Sequence, residues 1–208
     1  MGSDRIELPE EKKTKGEEKM KKILVVMGSP RKNGNSSTLA QNVIAGAKNA
    51  GAVVDSYCLH EMNIKPCDAC EACRKNDSRE CIIDDDMQEL YPKLYEADAL
   101  VIASPIYYFT VSAQTKLFVD RWYALGEGKT TVINGKQIGI ILTYEDTDPF
   151  TSGAVNALRT FQDAFEYLGA SIVDMIYGRA SEAGEIKANQ DLMDRAYQLG
   201  QKLAIELY

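Results

Sequence analysis

The stretch GSPRKNGNSSTL, Gly28 to Leu39, directly follows the apolar run Ile23-Leu24-Val25-Val26-Met27. A buried strand therefore ends in a loop of small and polar residues, and the pattern predicts a helix from about Ser37. Such a junction gathers free backbone N–H groups, hydroxyls and a helix N-terminus around one point, which suits a phosphate. Spacing narrows the choice. A Walker A loop would need Gly-Lys-Ser/Thr at its end, but Gly34 comes one residue too late and is followed by Asn35. The dinucleotide fingerprint GxGxxG is also absent. What remains is a hydroxyl-rich loop (Ser29, Ser36, Ser37, Thr38) with one guanidinium, Arg31. It would hold a terminal phosphomonoester rather than a pyrophosphate. The plain alternative is an N-capped helix after a turn.

Working outward, the chain alternates strand and helix. Leu39, Val43, Ile44 and Ala47 line a helix ending near Gly51, and Val53–Leu59 reads as an edge strand of mixed polarity. A segment without periodicity, about 60–83, follows; a loop of that length in a compact domain calls for a function. Asp84-Asp85-Asp86 cap a helix carrying Met87, Leu90 and Leu94, which Pro92 is expected to kink or split. Asp98–Ala103 is a buried strand that runs into the loop Ser104–Ser112, and Ser112 caps a helix to about Tyr123. Gln137–Leu142 is a strand, Thr143–Phe150 a loop, Leu158 to Leu168 a helix face, Ile172–Tyr177 a fifth strand and Ala188–Leu207 the last helix. Five strands alternating with helices demand a parallel sheet covered on both faces. In such sheets ligands sit beyond the carboxyl ends of the strands, where the loops 28–37, 104–112 and 143–150 would converge.

The chain has 208 residues, enough for one full core, and a hydrophobic fraction of 45%, ordinary for a globular protein. No apolar run approaches the roughly 20 residues that cross a bilayer, and none resembles a secretory signal, which predicts a cytoplasmic chain without a membrane partner. A net charge of −7 argues against nucleic acid. Residues 1–19, dense in Glu and Lys, read as a disordered charged tail before a domain over 20–208.

Two further features carry chemistry. Pro105-Ile106-Tyr107-Tyr108-Phe109 puts bulky groups at a strand end, where a flat ring system needs apolar faces and backbone polar groups. They would equally serve a subunit interface. Cys67, Cys70, Cys73 and Cys81 fall within fifteen positions, at spacings that can wrap the corners of a [4Fe–4S] cubane. Zinc more often takes two separated CxxC pairs, and free or disulfide-linked thiols are the other alternative. Cys58 lies in a strand and is expected to be buried and inert.

The phosphate loop, the strand-end loop SPIYYFTVSAQTK and the terminal GEIKANQDLMDRAYQLGQKL together resemble the NADPH-dependent FMN reductase family of flavodoxin-like proteins. The cysteine spacing resembles that of its iron–sulfur flavoprotein branch, except that Ile82, not proline, follows Cys81. The resemblance implies an α/β flavodoxin-like three-layer sandwich with a five-stranded parallel sheet in order 2-1-3-4-5. It implies FMN as cofactor, NAD(P)H as hydride donor and a homodimer or homotetramer. Ser29, Arg31, Asn35, Ser36, Ser37 and Thr38 would surround the FMN phosphate. Pro105, Ile106, Tyr107 and Tyr108 would border the ring, with Ser112 and Lys116 behind them, and Thr143, Tyr144, Glu145 and Asp146 would close the far side. The four clustered cysteines would hold a [4Fe–4S] cluster. The implied activity is an FMN-dependent oxidoreductase passing electrons to that cluster, a quinone, a flavin or another small-molecule or protein acceptor, with no catalytic side chain required. A flavodoxin-like electron carrier and a thiol redox sensor are the rival readings.

Overall fold

Ile23, Leu24, Val25 and Val26 are all buried, which forces strand β1 (Lys22–Met27) into the middle of a sheet covered on both faces. The computed structural model describes residues 20–75 and 80–205; the expected tail over 1–19 lies outside them. In chain order β1 is followed by α1 (Asn35–Asn49), β2 (Val53–Cys58), the single turn α2 (Ala72–Lys75), α3 (Met87–Glu96), β3 (Ala99–Tyr107) and β4 (Thr110–Val111). Then come α4 (Ala113–Asp120), β5 (Gln137–Tyr144), α5 (Ala154–Leu168), β6 (Ser171–Arg179) and α6 (Gln190–Leu203). The parallel strands run β2-β1-β3-β5-β6, and β4 folds back antiparallel on β3. Without that two-residue strand this is the expected 2-1-3-4-5 order.

Alternation along the strands separates two cores. Leu24, Val26, Leu100, Ile102, Ile138 and Ile140 point to one face, covered by Leu90 and Leu94 of α3, Phe118 of α4 and Phe161 and Phe165 of α5. Ile23, Val25, Val101 and Ile141 point to the other, covered by Val43 and Ala47 of α1 and Leu199 and Leu203 of α6. These are the three layers of the sandwich. On the second face α1 and α6 approach to backbone contact. A Cβ on Gly46 would run into the Tyr197 carbonyl, and one on Gly200 into that of Val43.

Several local expectations are corrected. Helix α1 starts at Asn35, with Gly34 as N-cap, not at Ser37. Pro92 lies inside α3 without splitting it, because the neighbouring turns and the buried Leu90 and Leu94 hold the helix together. The third strand does not end at Ala103 but continues to Tyr107 and returns as β4, so much of the expected loop 104–112 is a hairpin. Helix α4 stops at Asp120, a 3-10 turn covers Arg121–Leu125, and α6 begins at Gln190 and stops at Leu203. Cys58, at the end of the edge strand, is half-buried rather than buried.

Candidate functional site

The phosphate loop is fixed at its base. Gly28 donates its N–H to the Ala103 carbonyl at 2.8 Å and accepts from the Ser112 hydroxyl at 2.7 Å. That hydroxyl also accepts from the Thr115 amide as the N-cap of α4, while the Ser112 amide donates to Ser104 Oγ at 3.0 Å. Strand β1, the hairpin and α4 thus meet at one buried serine. No side chain could occupy position 28, since a Cβ there would strike Thr115 Oγ1. Lys116, one turn into α4, is exposed and paired with Asp120.

Along the loop the expected phosphate residues divide by task. Ser29 Oγ accepts from the Arg31 amide at 3.1 Å, and Ser37 Oγ donates to the Arg31 carbonyl at 3.2 Å, so both shape the turn. Gly34 is required for closure: a Cβ would sit 2.8 Å from Ser29 Oγ and 3.0 Å from the Arg31 carbonyl. Thr38 is half-buried at the end of the first turn of α1, its amide bonded to the Gly34 carbonyl. Ser36 is different. Its hydroxyl is buried and has no hydrogen-bond partner among the described residues. A buried hydroxyl without a partner costs about 1–3 kcal/mol unless a ligand or water satisfies it. It lines a crevice of about 170 Å³ with Ser29, Arg31 and Gly34. Helix α1 begins at this crevice, which Gly34, Asn35 and Ser36 line, and has no side-chain cap for its first amides. The cradle fits a phosphate.

Asn35 does something the sequence did not indicate. Its amide nitrogen donates to the carbonyls of Ala180 and Glu182 at 3.3 and 2.9 Å, and its oxygen accepts from the amides of Gly184 and Ile186 at 2.9 and 3.2 Å. All the polar capacity of this buried side chain goes to the loop after β6, and Ala180 and Ser181 of that loop line the crevice. Asn35→Ala should therefore accelerate amide hydrogen exchange at Gly184 and Ile186 by about five- to 150-fold, since about 1–3 kcal/mol of pairing is lost at each amide. Unchanged protection at both amides would show that the loop holds itself.

The rest of the crevice is built from strand ends. Pro105, Ile106 and Tyr107 line it from β3, and Thr143 and Tyr144 from the end of β5 with Glu145 just beyond. A neighbouring cavity of about 280 Å³ shares Ile106, Tyr144 and Glu145 and adds Tyr108, Phe109 and Asp146. Burial raises the pKa of the Tyr144 phenol above its ordinary value. Between β3 and β4 the two-residue turn is Tyr108-Phe109, and both have positive φ, +46° and +68°. This is the left-handed pair of a type I′ turn, a geometry that normally selects Asn and Gly. Phe109 is seated against Gly153, where any Cβ would strike it, and its carbonyl accepts from Asn156 at 3.1 Å. Tyr108 is 98% exposed, at the edge of the neighbouring cavity.

The cysteine loop packs against the segment that follows α4, where Arg74 donates to the Gly126 carbonyl at 3.0 Å. Its thiols are free; Cys67 and Cys70 are exposed, Cys73 is buried and Cys81 half-buried. Burial pushes the Cys73 thiol up, and the neighbouring Cys81 and Cys67 act in the same sense. The Cys70 amide donates to Asp68 Oδ1 at 3.2 Å. Ala69 and Glu71, flanking Cys70, have φ of +55° and +58°. Left-handed residues between ordinary ones turn amides toward one side, a backbone habit of phosphate and iron–sulfur sites. Among the described residues no three His, Cys, Asp or Glu side chains stand together as a metal site. The donor set of four soft thiols and the winding of the loop fit a cluster; the exposed Cys67 and Cys70 would have to turn inward to complete it.

The neck of this loop was not foreseen. Arg121 and Asp85, 1% and 0% exposed at their side chains, form an ion pair at 2.5 Å. Asp85 also accepts from the amides of Lys65 at 2.8 Å and Met87 at 3.0 Å. Arg121 donates further to the Lys65 carbonyl at 2.9 Å and to Cys81 Sγ at 3.3 Å. Burial alone would raise the Asp85 pKa, but the bonds from Arg121, Lys65 and Met87 outweigh it and hold the carboxyl below its ordinary range. In the sequence Asp85 reads as one of three helix-capping acids, and nothing singles out Arg121 after an amphipathic helix.

Known proteins match this description. A family model for NADPH-dependent FMN reductases matches residues 21–183. An iron-sulfur flavoprotein of Archaeoglobus fulgidus is 37% identical over 123 residues, 59% of this chain and 54% of that one, so the chain spans about half the length of this relative. In fold, an NAD(P)H:quinone oxidoreductase from Methanothermobacter marburgensis superposes with a TM-score of 0.68 at 18% identity, over 90% of this chain and 99% of that one. A flavodoxin from the domain Archaea superposes at 0.54 and 14% identity, over 88% and 96% of the two chains. The architecture is flavodoxin-like.

Proposed function

The chain belongs to the NADPH-dependent FMN reductase family, and from that premise we propose that it is an FMN-dependent oxidoreductase taking hydride from NAD(P)H. Bound in the crevice, FMN supplies the hydride acceptor and the onward electron donor; the protein supplies binding, orientation and shelter. The observation that carries the reading is the buried, unpartnered hydroxyl of Ser36 in a crevice walled by the carboxyl ends of β1, β3, β5 and β6 and the loops that follow β1 and β6. Ser36 and the first amides of α1 would hold the phosphate, with Arg31 at the rim. Ser29 and Ser37 keep the loop closed, and Asn35 holds the wall behind it. Ile106, Tyr107 and Tyr144 would border the ring, while Tyr108 and Phe109 shelter the mouth where the nicotinamide and the acceptor approach in turn. Glu145 and Asp146 would close the far side. Cys67, Cys70, Cys73 and Cys81 would carry a [4Fe–4S] cluster that takes electrons singly, and the name of the Archaeoglobus relative supports this part. A small-molecule acceptor such as a quinone is the other outlet, and a cytoplasmic homo-oligomer is the proposed setting.

The phosphate assignment is tested by comparing FMN with riboflavin, which lacks the phosphate. Arg31→Ala combined with Ser36→Ala should weaken FMN binding tenfold or more and leave riboflavin binding unchanged, read by fluorescence titration of the stripped protein. Equal losses for both ligands, or none, would overturn it. A carrier or thiol sensor would consume almost no NAD(P)H with acceptor present, whereas the proposed reductase turns it over.

A further inference from the structure

The largest fully buried side chain in the described chain belongs to Arg121, and no step proposed above uses it. It is held from every side. Its backbone carbonyl accepts from the Tyr91 hydroxyl of α3 at 3.1 Å. Its guanidinium grips Asp85 with both terminal nitrogens, at 2.5 and 3.2 Å, and reaches the Lys65 carbonyl and Cys81 Sγ as well. Lys65 and Cys81 are the two ends of the cysteine loop, so one side chain pins both. Gln88 reinforces the second end, donating to the carbonyls of Cys81 and Ile83 at 2.8 Å each. The fourth cysteine is thus fixed by the fold, while Cys67 and Cys70 remain exposed. The Arg121 Nε is buried with no partner among the described residues, leaving one more donor on this guanidinium.

We infer that Arg121 is a positioning residue for the cysteine cluster, holding Cys81 at the loop neck and raising the cluster's reduction potential through its N–H bond to the Cys81 sulfur. This deepens the proposed function and rests on its reading of the four cysteines as iron–sulfur ligands. The physical argument is one of charge. One-electron reduction by the flavin adds a negative charge to the cluster, and a nearby cation that also donates a hydrogen bond to a ligand sulfur favours the reduced form. Asp85 opposes this as a negative charge on the same guanidinium, so the two members of the pair push the potential in opposite directions. Arginine suits the task because its planar fork can serve Asp85, Lys65 and Cys81 together; a lysine ammonium would keep the ion pair and lose the fork.

The test uses the full chain purified without oxygen, measuring iron and acid-labile sulfide per chain and the cluster midpoint by spectroelectrochemical titration. Arg121→Lys should stay loaded and titrate lower, by a tenfold change in the reduction equilibrium or about 59 mV for a one-electron couple. Asp85→Asn, which keeps the side chain's size and one acceptor oxygen while removing the negative charge, should titrate higher wherever it stays loaded, and it carries the test alone if the lysine variant does not fold. Unchanged midpoints in loaded variants, or shifts of the same sign, would overturn the inference. Loss of iron and sulfide from both variants would leave the pair a structural role only and overturn it too. Absence of iron and sulfide from the unaltered protein would fail at the earlier step: the cluster reading falls, and this inference with it.

Discussion

Asp85→Ala should destabilise the chain by about 3–5 kcal/mol, read as a drop in the urea midpoint of the stripped protein at unchanged slope. The magnitude comes from what is left behind. Arg121 is 1% exposed and cannot reach water, so losing its carboxylate strands a buried guanidinium. The amides of Lys65 and Met87 lose their acceptor in the same change. Exposed pairs such as Lys22–Glu96 offer a contrast, since cutting them should cost about 1 kcal/mol or less. A loss for Asp85→Ala as small as that would mean water or a rearranged loop already serves Arg121.

Gly200→Ala should also destabilise, by about 2 kcal/mol net. The added methyl would enter the Val43 carbonyl and stand 2.7 Å from the Ala47 amide. These are backbone atoms of a neighbouring helix, so no side chain can turn aside and α1 and α6 must separate. Overpacking costs about 1–3 kcal/mol, here at the upper end because backbone rather than side chain must move, and the better helix propensity of alanine returns about 1 kcal/mol. Thermal unfolding of the variant is the measurement, and a melting temperature equal to that of the unaltered chain would refute the close approach of the helices.

The fold was legible in the sequence because its signals are local. The apolar runs of β1, β3 and β5 and the spaced faces of α1, α5 and α6 each declare themselves within a dozen residues. The phosphate loop was legible as well, since strand, small polar residues and helix are contiguous. What stayed hidden depends on distant partners. Asn35 looks like another polar member of the loop until the chain brings back residues 180–186, some 145 or more positions later. Asp85 looks like a cap until Arg121 arrives 36 positions on. The hairpin was missed for another reason: its turn carries Tyr108-Phe109 in place of the Asn-Gly that would have announced it.

That turn sets a trade for anyone who would engineer this scaffold. Two L-residues with side chains held at positive φ carry a penalty on the order of 1 kcal/mol each, and Asn-Gly would relieve it. The substitution a stabilisation programme would choose first is thus the one that strips the aromatic cover from the mouth of the crevice. Under the proposed function durability and recognition compete for the same two positions, and a hardened version of this protein would have to find its gains elsewhere in the fold.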